Sequence, residues 1–166
     1  MAMPARLLRH LFAGPARSAF PEASLERIAA AVAEGEARHR GEVCFAVEPA
    51  LPARAVLRGM QARERAHEVF ARLRVWDTEA DNGVLVYLLL ADHRIEIVAD
   101  RGLAGRVSDE QWRGVCLLME ERLRAGEPEA AAVRGVAAVS DLLAAHFPRA
   151  PGEADENELP DRPRLL

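Results

Sequence analysis

Arg74-Val75-Trp76-Asp77-Thr78-Glu79-Ala80-Asp81-Asn82-Gly83-Val84-Leu85-Val86-Tyr87 runs an acidic, turn-rich loop straight into an apolar strand. From 84 to 90 the residues are uninterruptedly apolar, as in a strand covered on both faces of a layered α/β fold. Asp92-His93 reads as a turn. In the return strand, 94–99, Ile95, Ile97 and Ala99 alternate with Arg94, Glu96 and Val98, which marks a strand nearer an edge. It ends in Asp100-Arg101-Gly102, so the hairpin folds the acidic loop back beside Asp100.

Upstream, 42–48 reads as a strand with Val43, Phe45 and Val47 on one face and Cys44 and Ala46 on the other. A helix over 21–40 precedes it, its apolar face built from Leu25, Ile28, Ala29, Val32 and Ala33. Pro21 suits an early helical position and Gly41 a C-terminal stop. A second helix, 54–72, buries Ala62, Ala66, Val69, Phe70 and Leu73 and links the strand at 42–48 to the one at 83–90. Such a crossover is right-handed and makes the two strands parallel.

Downstream, Ser108 and Gln111 form a capping box before the stripe Trp112, Val115, Cys116, Met119, Leu123. Gly126 ends that helix. A last helix starts at Pro128, aligns Ala132, Val136, Val139, Leu143 and Phe147, and stops at Pro148. The expected fold is α/β: a three-layer α/β/α arrangement around a small mixed sheet, made of a parallel βαβ unit plus an antiparallel hairpin. Residues 1–20 read as a basic leader, 21–148 as the domain, and 149–166 as an extended C-terminal tail.

Composition narrows the function classes. The 166 residues carry a net charge of -4, with 50% apolar, 29% charged and 5% aromatic residues, the profile of a globular chain without a base-stacking surface. Nucleic acid is therefore not an expected partner. There is no lysine, so Schiff-base chemistry and a phosphate-loop lysine are excluded. Cys44 and Cys116 sit in apolar periodic segments and read as buried free thiols. No apolar run approaches the ~20 residues that span a bilayer. The leader, with Arg6 and Arg9, is either docked on the core, loosely ordered, or laid on a membrane surface as a basic amphipathic helix.

The topology makes a geometric statement. If the first two strands are parallel, Glu42 and Gly83 share one sheet end, and the hairpin brings Asp100 to it. Asp77, Glu79, Asp81 and Asp100 are the candidate metal ligands, and Glu42, Asn82, Arg101 and Gly102 the candidate binding residues. Oxygen donors of this kind suit Ca2+ or Mg2+ and also general acid–base work. The competing reading is that Asp81-Asn82-Gly83 merely turns the chain. The spacing Asp77-x-Glu79-x-Asp81 is not an EF-hand loop, because its glycine is one place late and the twelfth position is Leu88. No Gly-x-Ser-x-Gly elbow, Gly-x-Gly-x-x-Gly turn or Walker sequence is present, and the five histidines are scattered.

Ala66-x-x-x-Phe70, Asn82-Gly83-Val84-Leu85, Asp92-His93-Arg94 and Asp100-Arg101-Gly102-Leu103 form an ordered series of short motifs. Over roughly residues 22–148 this series resembles the TPM domain. The loop Arg74-Val75-Trp76-Asp77-Thr78 and the tail Asn157-Glu158-Leu159-Pro160-Asp161-Arg162-Pro163 are similar to those of a short bacterial subgroup. The resemblance implies a three-layer α/β/α fold, acid phosphatase activity and divalent-metal binding in some members, and roles in membrane-protein repair or assembly. Many members place an aspartate just before the first helix; here Arg17-Ser18-Ala19-Phe20-Pro21-Glu22 has none.

The functional expectation is a non-catalytic TPM-type binding module assisting a membrane protein or complex. The alternative is a divalent-metal-assisted acid phosphatase, in which Asp81 and Asp100 hold the cation, Asn82 orients the loop and Arg101 contacts phosphate. The expected partner is a protein. The expected location is the cytoplasm, with a peripheral position at the inner membrane as its variant.

Overall fold

Strands β1 (Glu42–Glu48) and β2 (Gly83–Leu89) are buried at every position. They pair in parallel from Glu42↔Gly83 through Glu48↔Leu89. β3 (Arg94–Ala99) returns antiparallel on β2, from Leu89↔Arg94 to Val84↔Ala99. This computed structural model describes residues 3–154 and 156–166; Met1 and Ala2 of the expected leader and Asp155 of the expected tail lie outside the described residues. A fourth short strand, β4 (Arg164–Leu165), adds in parallel to the free edge of β1, so the order is β3-β2-β1-β4. The three-layer mixed-sheet arrangement read from the sequence is present, with one strand more than expected.

The alternation along the strands divides the core in two. Val43, Phe45, Val47, Val84, Val86 and Leu88 face one apolar cluster. It is closed by α3 (Glu22–Glu36), α6 (Asp109–Arg124) and α7 (Pro128–His146), whose buried stripes include Ile28, Met119 and Val139. Cys44, Ala46, Leu85, Tyr87 and Leu89 face the other cluster, under α4 (Ala53–Leu57) and α5 (Ala62–Arg72). Two short helices precede these, α1 (Met3–Leu11) and α2 (Ala16–Ala19). α1 is tied down by Arg6, which reaches Asp92 at 2.8 Å, and by His10 Nδ1, which accepts from the Leu51 amide at 2.9 Å.

The helices differ from the periodicity reading in two places. The expected helix 54–72 is split, because Gly59 takes φ +79°, a left-handed conformation that glycine adopts without side-chain strain. Its amide and that of Met60 then close the turn onto Val56 and Ala55. The helix expected to reach Arg40 stops at Glu36. There the Glu36 carboxyl accepts the Val43 amide at 2.8 Å, and the chain turns directly into β1. The Ser108–Gln111 capping box is formed as read, with both reciprocal bonds.

Backbone groups on the outer sides of β3 and β1 are engaged at single positions. On β3, Arg63 donates to the Ile97 carbonyl. On β1, Glu36 caps Val43 and the Leu166 amide donates to the Val47 carbonyl at 2.9 Å. Unpaired edge groups would otherwise invite another chain.

At the end of the sheet away from the acidic loop, a buried polar network closes the core. The Tyr87 hydroxyl donates to Glu48 at 2.6 Å, and Arg65 makes paired bonds to the same carboxylate, both at 2.9 Å. Replacing Glu48 by Ala leaves the Tyr87 hydroxyl without its acceptor and Arg65 with only its partly exposed bond to Glu68. The expected loss is about 3–5 kcal/mol of stability, read from urea unfolding midpoints.

Two further buried groups give the stability its pH dependence. Burial holds the His39 imidazole down at about 4, against an ordinary 6.5. Burial pushes the Glu36 carboxyl up to about 8, from an ordinary 4.5, with the Val43 amide opposing and Glu42 and Asp161 adding to the rise. The stability that neutral His39 contributes is complete above 6.5 and is lost as the pH falls toward 4. That from Glu36 is complete below 4.5 and is lost as the pH rises through 8. Between 4.5 and 6.5 the two slopes oppose each other, and above 6.5 only Glu36 acts. The melting temperature is therefore expected to fall between about pH 6.5 and 8.5, and Glu36→Gln to flatten that limb while leaving the acid limb in place.

Candidate functional site

The rim of the sheet that carries the acidic loop is assembled by backbone bonds. The Asp100 amide donates to the Gly83 carbonyl at 2.9 Å, and the Gly102 amide to the Asp81 carbonyl at 2.8 Å. The Glu42 amide donates to the Asn82 carbonyl at 3.3 Å. The parallel register and the hairpin thus bring the starts of β1 and β2 and the end of β3 to one place.

Within this rim, Asp81 takes a left-handed φ of 52°, which aspartate tolerates better than bulkier residues. Its carboxylate pairs with Arg101 at 2.9 Å, and the Arg101 side chain is otherwise mostly exposed. Asp100 caps the short turn Arg101–Leu103 by accepting the Arg101 amide at 2.7 Å. Asn82 is 2% exposed and donates through Nδ2 to the Arg40 carbonyl at 2.5 Å. Asn82 Oδ1 and Asp100 Oδ2 are buried and accept no hydrogen bond from the described residues. Gly102 allows the close approach of the two loops: a Cβ there would lie 2.5 Å from the Asp81 carbonyl oxygen and 2.7 Å from that of Ala80.

Of the eight residues singled out from the sequence, Asp81, Asp100, Arg101 and Gly102 are linked by these bonds, while Asn82 binds the Arg40 carbonyl and accepts the Glu42 amide. Glu42 is at the same rim and buried, but its carboxylate accepts the amides of Glu158 at 3.2 Å and Leu159 at 3.0 Å. Burial pushes that carboxyl upward, while the two amides oppose the rise. Glu79 receives a different contact: its own amide donates to the Glu158 carboxylate at 2.9 Å. Asp77 is exposed, 3.9 Å from Arg74. Among the described residues, no group of three or more His, Cys, Asp or Glu is placed to hold a metal ion. The donor chemistry fits Ca2+ or Mg2+; Asp81 is paired with Arg101, and the Glu42 carboxylate accepts two amides.

The thiols supply no nucleophile near neutral pH. Burial raises both Cys44 and Cys116 to about 11. Two residues at the rim escaped the sequence reading. Trp76, on the loop that carries Asp81, is 47% exposed. Its signal was a large aromatic lying outside any apolar stripe. Glu158 bridges the rim to the tail, and local periodicity carries no signal for such a long-range contact.

The model of the TPM domain matches residues 17–142. Among solved structures, the chain is similar to the BA42 protein of the psychrophilic bacterium Bizionia argentinensis, determined by NMR. The two are 25% identical with a TM-score of 0.74, over 86% of this chain and 92% of that one. The comparison with curated proteins returned no match.

Because the Gly102 Cα faces two carbonyl oxygens, Gly102→Ala is expected to push the Asp81 loop away from the hairpin. The expected cost is about 1–3 kcal/mol, with faster amide exchange confined to residues 79–83 and 100–103.

Proposed function

The chain belongs to the TPM domain family, and from that premise we propose that it is a non-catalytic binding module whose acidic rim docks a protein partner belonging to a membrane-associated complex. The observation that carries this reading is the exposure of Trp76 and Arg101 beside a loop held rigidly from below. Tryptophan and arginine are the residue types that most often anchor interfaces. Here Asn82, Asp100 and the Gly102 contact fix the loop, so little ordering cost remains on binding. The protonated thiols and the Arg-neutralised Asp81 favour recognition over bond-breaking. Among the described residues no helix is long and apolar enough to cross a membrane, so this reading uses peripheral contact from the cytoplasmic side of the inner membrane.

A metal-assisted phosphatase is favoured by one specific feature, the two buried acceptors Asn82 Oδ1 and Asp100 Oδ2 at the rim. The two readings separate in one set of measurements. Quantitative capture from a detergent-solubilised native membrane fraction is compared for the wild type, Trp76→Ala and Arg101→Ala. A partner whose recovery falls at least about tenfold with either variant, at unchanged unfolding midpoint, is the expected result. Equal capture by all three sinks the binding reading. Saturable amide shifts on adding Mg2+ or Ca2+, with phosphomonoester hydrolysis that Asp81→Asn and Asp100→Asn abolish, would put the phosphatase in its place.

A further inference from the structure

The segment 156–166 lacks a periodic core pattern, yet it is seated along one sheet edge by several independent contacts. The Glu42 carboxylate accepts two consecutive main-chain amides, those of Glu158 and Leu159. Leu159 is 7% exposed and joins the cluster that includes Val75 and Leu73. Arg162 pairs with Glu22 at 2.5 Å. Arg164 and Leu165 then pair in parallel with Ala46 and Val47, and the Leu166 amide closes onto Val47 at 2.9 Å. Main-chain bonds with one buried side-chain anchor are the means by which an extended peptide adds to a sheet edge.

The stretch joining this segment to α7 is bonded at its start, where the Arg40 amide donates to the Phe147 carbonyl at 2.9 Å and the Arg149 amide to that of Arg38 at 3.0 Å, and is exposed beyond it. Residues 151–154 and 156–158 are exposed, and Gly152 turns the chain at φ +80°. Its ion pair, Arg40–Glu153 at 2.8 Å, lies at the surface, where such pairs are weak and salt-screened. Like charges also crowd the seat. Glu158 and Asp161 arrive beside Glu42, and both push its carboxyl upward. Opposing them is Arg164, which lies near Cys44. A strand held by few main-chain bonds in such surroundings belongs to the low-stability end of a fold.

We propose that the outer edge of β1, with the Glu42 carboxylate at its start, is a strand-accepting site whose occupant is exchanged between two copies of this chain. The segment of a second copy has the same chemistry as the resident one, so exchange preserves every contact and changes only the route of the exposed connection. Each copy would then place Glu158 on its partner's rim, against the amide of Glu79. The proposal stands on the edge contacts alone and does not depend on what the rim binds.

The test uses the full chain with a protease site inserted after Gly152. After cleavage, circular dichroism is expected to be unchanged, and a fluorescein-labelled peptide of residues 156–166 to replace the resident segment saturably. The same peptide carrying Leu159→Ala should bind at least about thirtyfold more weakly. Glu42→Gln in the cut chain should weaken binding about tenfold. In the uncut chain, two differently tagged copies mixed at high concentration should co-purify as a dimer, and Leu159→Ala should abolish it. Unfolding on cleavage, or no entry of label under large excess over several days, would make the segment a permanent part of the core and overturn the proposal. Peptide exchange without any mixed dimer would overturn the second copy as occupant.

Discussion

The parallel pairing of Glu42 with Gly83 is the constraint on which the rest of the molecule depends. β1 and β2 are buried on both faces, so a slip of one residue would turn every side chain into the wrong layer. The two glutamates that bound β1 reinforce the register. Glu48 finds Arg65 and Tyr87 at one end, and Glu42 finds the amides of 158 and 159 at the other. Both are buried, and a buried carboxylate displaced from its partners would face an uncompensated desolvation cost.

That register also decides what the acidic loop can do. With Gly83 opposite Glu42, the hairpin must deliver Asp100 to Gly83 and Gly102 to Asp81. The polar groups so gathered are largely used up in holding the loop: Asp81 on Arg101, Asp100 on the turn it caps, Asn82 on Arg40. Facing outward from the loop are Trp76, Asp77 and Glu79, beside the guanidinium of Arg101.

The sheet edges are handled by unlike means. On β3, Arg63 donates to the Ile97 carbonyl, and the Cys116 thiol of the packed helix also meets the Ile97 backbone. The β1 edge is closed partly by Glu36 and partly by the last segment of the chain. The first device uses side chains of helices already packed in the core. The second is a stretch of main chain arriving across an exposed connection, and so it links the edge to the acidic rim through Glu158 and Leu159.

Much of this architecture is legible in local patterns. The alternation Val43-Cys44-Phe45-Ala46-Val47, the run after Gly83, the capping box at Ser108 and the crossover rule together specify the layers, the strand directions and the rim where Asp81 and Asp100 meet. Local periodicity fails where one residue overrides it, as Gly59 does in breaking the helix after Leu57. It also fails where the partner is distant. Nothing near Glu42 announces that its carboxylate will be taken by residues 158 and 159, and nothing in the tail's composition announces a buried Leu159 or a fourth strand. The sequence by itself therefore determined most of the elements, the faces they bury and which end of the sheet is acidic, because those follow from short-range spacing. Only the tertiary structure decided which of those acids are engaged and by what, because hydrogen bonds and ion pairs between segments far apart in the chain exist only once the layers have closed.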